Sequence, residues 1–153
     1  MRRDRIESLP TFEEAFSFEE LNKAFYKCKS GVAWKESIQK YEAKLFKNNI
    51  RLSKEVLRGH YKQRPFIEFD LMERGKLRHI RSVYIRDRIV QKALCDNILV
   101  PLLSSTLIYD NCASLKGKGT LFAINRTGKM LHDTYKKYSN SAYIVLGDLQ
   151  LRT

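Results

Sequence analysis

Residues 75–91 read GKLRHIRSVYIRDRIVQ, and this stretch decides how the rest of the chain is arranged. Lys76, Arg78, His79, Arg81, Arg86 and Arg88 crowd into it, and an apolar-periodic segment follows at once. A basic strand running into a buried helix holds cations rigidly beside something anionic. Upstream, Ile67, Phe69 and Leu71 alternate with Glu68 and Asp70, a period of two that predicts a half-buried strand over 66–72. Glu73-Arg74-Gly75-Lys76 is a turn, so 66–84 is expected to be a β-hairpin. Side chains alternate along a strand. Lys76, Arg78, Ile80, Ser82 and Tyr84 therefore fall on one face, and Leu77, His79, Arg81 and Val83 on the other. From Arg86 to about Leu103, Ile89, Ala93, Val90, Leu94 and Ile98 form a stripe too wide for a surface helix. This is expected to be the central core helix, with Cys95 inside it and Pro101 ending or kinking it.

Working outward, the first 17 residues read as a tail containing two helix-start signals. Thr11 precedes Phe12-Glu13-Glu14, and Ser17 stands three residues before Glu20 as N-cap and capping-box partner. Leu21, Phe25 and Cys28 share a helix face, and Gly31 is a stop. A second helix is expected over about 33–47, with Trp34, Ile38, Tyr41 and Leu45 on one stripe. A third, over about 53–59, would be capped by Ser53 and ended by Gly59. Beyond the core helix, 107–115 reads as a loop or short irregular strand. Lys116-Gly117-Lys118-Gly119-Thr120 turns into a helix carrying Phe122, Ala123, Arg126, Met130, Leu131 and Tyr135. Ala142–Leu146 is a fully apolar strand ending at Gly147-Asp148.

The 153 residues favour one domain. Net charge is +12, and 12 Lys/Arg stand against 5 Asp/Glu between residues 51 and 92, which concentrates the excess in the middle third. A basic face of this kind attracts polyanions. Cys28, Cys95 and Cys112 are widely spaced and make no zinc pattern. Free thiols without a signal peptide point to a reducing, cytoplasmic setting. No apolar run approaches the roughly 20 residues of a membrane span, so no membrane partner is expected.

Several local features suggest chemistry, each beside a plainer reading. Asp148 at the end of an apolar strand suits a divalent-metal ligand, or a turn. The KGKGT turn suits a phosphate, since glycine lets backbone N–H groups approach closely, or is simply a turn before a helix. It lacks the spacing of a P-loop. Asp87 suits the first turn of the core helix by its charge. Arg88 suits a backbone phosphate or an internal ion pair. His60, His79 and His132 have no spacing that argues for a catalytic triad.

Taken in order, Gly75-Lys76-Leu77-Arg78, Asp87-Arg88-Ile89-Val90-Gln91, the Lys116–Thr120 turn and Tyr143-Ile144-Val145-Leu146-Gly147-Asp148 resemble bacterial and phage reverse transcriptases. The resemblance is to the group II intron, retron and diversity-generating kinds, and it runs from about Phe18 to Asp148. It implies an α+β fold of the fingers type: a helical N-terminus, a β-hairpin, a long core helix, a second helix and one palm strand. Residues 1–17 and 149–153 would lie outside it as tails.

The resemblance also implies an RNA-directed DNA polymerase fragment, with a non-catalytic RNA-binding module as the alternative. Arg78, Lys76, Arg74, Lys116 and Lys118 would meet the phosphates of the incoming deoxynucleotide. Arg suits them bidentately and Lys as a point charge. Arg81, Arg86, Arg88, Lys62 and Arg64 would meet the nucleic acid. Partners would be an RNA template and a DNA or RNA primer, in a bacterial or phage-infected cell. Asp148 would be the catalytic carboxylate and one ligand of Mg²⁺. An exposed edge on the palm strand would favour self-association. The family's adjacent aspartate pair is absent, and one carboxylate does not hold two metals. The chain alone is therefore expected not to extend a primer with Mg²⁺ or Mn²⁺. Labelled nucleotide incorporated above a protein-free blank would overturn that expectation.

Overall fold

A computed structural model describes residues 9–113 and 115–147. Asp148, and with it the proposed metal ligand, lies outside the described residues. The architecture is α+β. Helices α1 (Phe12–Ala15), α2 (Phe18–Lys29), α3 (Glu36–Glu42) and α4 (Leu45–Leu57) come first. The hairpin β1 (Ile67–Glu73) and β2 (Lys76–Ser82) follows, then α5 (Ile85–Leu94), a π-helical turn (Cys95–Leu99), α6 (Val100–Leu103) and α7 (Thr120–Tyr138). The chain divides into two compact units after Ser105.

The first two helices begin where their capping residues stand. The Thr11 hydroxyl accepts from Glu14 N–H while the Glu14 carboxylate accepts from Thr11 N–H, a complete capping box. Ser17 caps α2 by accepting from Glu20 N–H, whereas the Glu20 carboxylate turns to Lys23 Nζ at 2.5 Å. Gly31, at φ +77°, follows the end of α2.

The helices over 33–59 depart from the expected pattern. Helix α3 starts only at Glu36, leaving Trp34 75 % exposed. The backbone then bends at Lys44 (φ −127°, ψ 31°), and α4 runs unbroken from Leu45 to Leu57. Ser53 is therefore not a cap. It lies buried inside α4 with its hydroxyl donating to Phe16 C=O at 2.8 Å, a long-range bond that local sequence does not announce. Asn49, fully buried one turn earlier, accepts from Tyr41 OH at 2.8 Å and donates to Asn22 Oδ1 at 2.6 Å.

These helices and α5 enclose one core. Phe16, Leu21, Phe25, Ile38, Leu45, Leu52, Val56, Ile89 and Val90 are buried in it, with Ala15, Ala24 and Ala93 where elements pass closest. Helix α5 packs against α2 as the core helix it was expected to be. Cys95 is exposed instead of buried. It stands two positions past Ala93, roughly 200° round the helix from that stripe. The long helix is also not uniform. Val100 N–H bonds Cys95 C=O, five residues back, and the wider turn precedes Pro101, which has no N–H to give.

The hairpin turns through Arg74 (φ +50°) and Gly75 (φ +76°), both left-handed, as a two-residue type I′ connection demands. The register pairs Phe69 with Ile80 and Asp70 with His79, so Arg78 and Arg81 do project from opposite faces. The expected half-burial of β1 is absent. Ile67, Phe69 and Leu71 are all exposed by more than 40 %, because the two strands pair only with each other and no layer covers the sheet among the described residues.

In the second unit, α7 follows Gly119. The expected palm strand at 142–146 is not formed within the described residues: the stretch has no strand partner, and Val145 is 91 % exposed. A lone apolar segment cannot satisfy its backbone groups as a strand without a neighbour. No helix among the described residues is long and apolar enough to cross a membrane.

Ile89 is fully buried at the centre of the core. Ile89→Ala is expected to lower unfolding free energy by about 2–5 kcal/mol, and Trp34→Ala to stay within about 0.5 kcal/mol. Chemical denaturation of the two variants measures both.

Candidate nucleic-acid interface

The first turn of α5 organises the site. Asp87 lies on the same helix face as Val90 and Leu94, so the packing that buries that face buries its carboxylate completely. Two groups from the connection between α4 and β1 compensate it. Tyr61 OH donates to Oδ1 at 2.7 Å, and Arg64 N–H donates to Oδ2 at 3.3 Å. Burial, and then the hydrogen bond to Asp87, push the Tyr61 phenol well above its ordinary range. Arg86, one residue earlier, pairs with Glu55 of α4 and lies over the Tyr61 ring, 5.3 Å from its centroid. The Arg64 guanidinium lies over the Tyr84 ring at 5.3 Å.

Arg64, Tyr84 and Arg86 line a cleft of about 630 Å³, a size within the usual range for ligand pockets. Residues of α3 and α4 line it too, and Ile67, Phe69 and Ser82 near the root of the hairpin complete it. The lining carries Lys35, Lys40, Lys44, Arg51, Arg64, Arg86 and Arg88, against Glu55 as its single acid. Glu55 is already matched by Arg86 and by Arg51, the latter at 2.8 Å. Lys35, Lys44, Arg64 and Arg88 make no ion pair with a described residue. Tyr41 lines the same cleft, and burial pushes its phenol up to about 12, so it is a neutral hydrogen-bonding surface at physiological pH. Concave, cationic walls around aromatic surface suit a phosphate-bearing chain.

Of the residues singled out in the sequence, Arg64, Arg86 and Arg88 come together in this cleft. The rest are placed differently. Arg78 pairs with Glu73 at 3.1 Å on the sheet face that also carries Phe69. Arg81 pairs with Glu68 at 2.7 Å and lies over Phe66 on the other face. Arg74 occupies the hairpin tip and Lys76 is exposed beside it. Lys62 is exposed and does not line the cleft. In the second unit, Lys116 is exposed, whereas Lys118 donates to Tyr109 C=O and lies over the Tyr109 and Phe122 rings. Arg126 pairs with Asp110 there and holds its carboxyl below the usual range. Lys118 and Arg126 thus fix the loop before α7, which leaves Lys116 as the freer cation of the turn.

Sequence reasoning missed Lys35, Lys40, Lys44 and Arg51 as site residues. It also took Asp87 for a dipole partner only. The spacing Asp87, Val90, Leu94, Ile98 was the available signal, since it sets an acid on the buried stripe. No three His, Cys, Asp or Glu side chains among the described residues are placed to hold a metal ion. No protein-family model matches the chain, and no curated protein matches it.

His79 donates to or accepts from Asp70 at 2.8 Å and lies 3.5 Å from Glu68. The hydrogen bond to Asp70 raises its pKa above the ordinary value. A raised folded-state pKa stabilises most below the unfolded value of about 6.5, and that contribution is lost as pH rises through the folded value. NMR titration of His79 is expected to give a midpoint above 6.5, about the reference value, and Asp70→Asn to return it toward that value.

Proposed function

We propose that this chain is the template- and nucleotide-gripping part of an RNA-directed DNA polymerase of the reverse-transcriptase kind. The observation that carries the reading is the cleft beside α5, with seven lysines and arginines around one acid that is already neutralised. The ordered sequence blocks support it. The G-K-x-R hairpin turn and the D-R-x-x-Q start of α5 both belong to the unit that carries the cleft.

In this reading the cleft cations follow the phosphates of a single-stranded RNA template, and the aromatic surface meets its bases. Arg88 and Lys44, which make no ion pair with a described residue, would bind phosphate without giving one up. Arg78 is assigned to the triphosphate of a deoxynucleotide through its charge. Magnesium belongs to the family reading through Asp148, and the described residues supply no donor set for it.

Binding to a labelled single-stranded oligoribonucleotide is expected to weaken linearly in log affinity with log salt, each phosphate contact adding roughly 0.7 to the slope. Arg88→Ala and Lys44→Ala are each expected to lower the slope by about that amount. A salt-independent affinity, or alanine variants with unchanged slopes, would remove the cleft from the reading. Deoxynucleotide triphosphate is expected to bind competitively with inorganic triphosphate, and more weakly to Arg78→Ala. RNA binding without any deoxynucleotide binding would favour the non-catalytic RNA-binding module instead.

A further inference from the structure

Asp87 is the one fully buried ionisable side chain among the described residues, and its surroundings are unusual for an acid. No described lysine or arginine side chain forms an ion pair with it. Its oxygens are met by a phenol from Tyr61 and by the backbone N–H of Arg64. An acid held this way is costly to bury unless its oxygens are hydrogen-bonded. What the carboxylate does hold is the segment that delivers cations to the cleft. Its Oδ2 fixes the backbone at Arg64, whose guanidinium is then held over Tyr84. Its Oδ1 fixes Tyr61, whose ring lies beneath Arg86. Arg64, Tyr84 and Arg86 all line the cleft, and Asp87 does not.

We propose that Asp87 is a positioning residue for ligand binding: by anchoring Tyr61 and the Arg64 backbone, it sets the Arg64 and Arg86 guanidinium groups at the cleft wall before a phosphate chain arrives. The inference rests on the nucleic-acid reading of the cleft. Flexible arginines must lose side-chain freedom to bind a phosphate, and a wall already ordered reduces that loss. The anchor is indirect, through a backbone N–H and an aromatic ring. Asp87 therefore supplies order without placing a competing negative charge on the cleft surface.

The decisive experiment is a double-mutant cycle on affinity for a labelled single-stranded oligoribonucleotide, with thermal unfolding recorded for every variant. Asp87→Asn is expected to weaken binding about fivefold, on the scale of one lost oriented contact. In an Arg64→Ala background the same change is expected to cost less than about twofold, because coupled residues are not additive. A change that merely loosened the fold would weaken binding equally in both backgrounds. Tyr61→Phe keeps the ring under Arg86 and removes one hydrogen bond from Asp87. It is expected to give a smaller loss that shrinks in an Arg86→Ala background, and it decides the matter if Asp87→Asn does not fold. Losses that multiply in the double variants, or wild-type affinity in both Asp87→Asn and Tyr61→Phe, would overturn the proposal. A wild-type chain that binds no RNA would overturn the nucleic-acid reading first, and this one with it.

Discussion

One buried carboxylate constrains the first unit more than any other group. Asp87 has no exposed surface and no ion pair with a described residue, so its stability in the core depends on the Tyr61 hydroxyl and the Arg64 N–H. An unsatisfied carboxylate in that position would be strongly destabilising. The connection between α4 and β1 therefore follows a path that brings both donors to α5. The hairpin leaves from the end of that connection, and Arg86 reaches across to Glu55 on the helix where the connection began. Local charge chemistry and the course of the chain are one problem here, solved at one helix turn.

The cleft is a consequence of that solution. Helices α3 and α4 supply lysines from one side, the hairpin root supplies Ile67 and Phe69, and the start of α5 supplies arginines. None of these elements is a site alone. The hairpin is barely covered, and its outward face is a ladder of Glu68 with Arg81 and Asp70 with His79. Such exposed pairs contribute little to stability. The hairpin's place is thus owed chiefly to its root, where it meets α5 and the connection, and little to its tip. The second unit has its own small order, with Lys118 over Tyr109 and Phe122 and Arg126 paired to Asp110.

Where sequence patterns involved only neighbours in the chain, they were legible. The Thr11 and Ser17 caps, the turn at Arg74-Gly75, the alternation of faces along the second strand and the buried stripe of Ile89, Val90 and Ala93 all follow from local spacing. Patterns that needed a distant partner were not. Ser53 resembles a cap, and only the Phe16 carbonyl, 37 residues away, makes it an interior residue. The apolar stretch 142–146 resembles a buried strand, and only a neighbouring strand would have made it one. The alternating residues of β1 resemble a half-buried face, yet no second layer is there to bury them among the described residues.

The sequence by itself determined the α+β class, the hairpin with its two arginines on opposite faces, and the concentration of positive charge in the middle of the chain. Those follow from periodicity, turn chemistry and composition, which are local or additive. Tertiary structure alone decided which charges share a surface. Lys35 and Arg88 are 53 residues apart in the chain, and they face one cleft because α2 packs α5 against the N-terminal helices. Tertiary structure also decided which cations are already engaged, as Arg81 and Lys118 are, and which make no ion pair with a described residue, as Arg88 and Lys44 do. Coulombic attraction depends on distance in space, and spacing along the chain fixes that distance only within a single helix or strand.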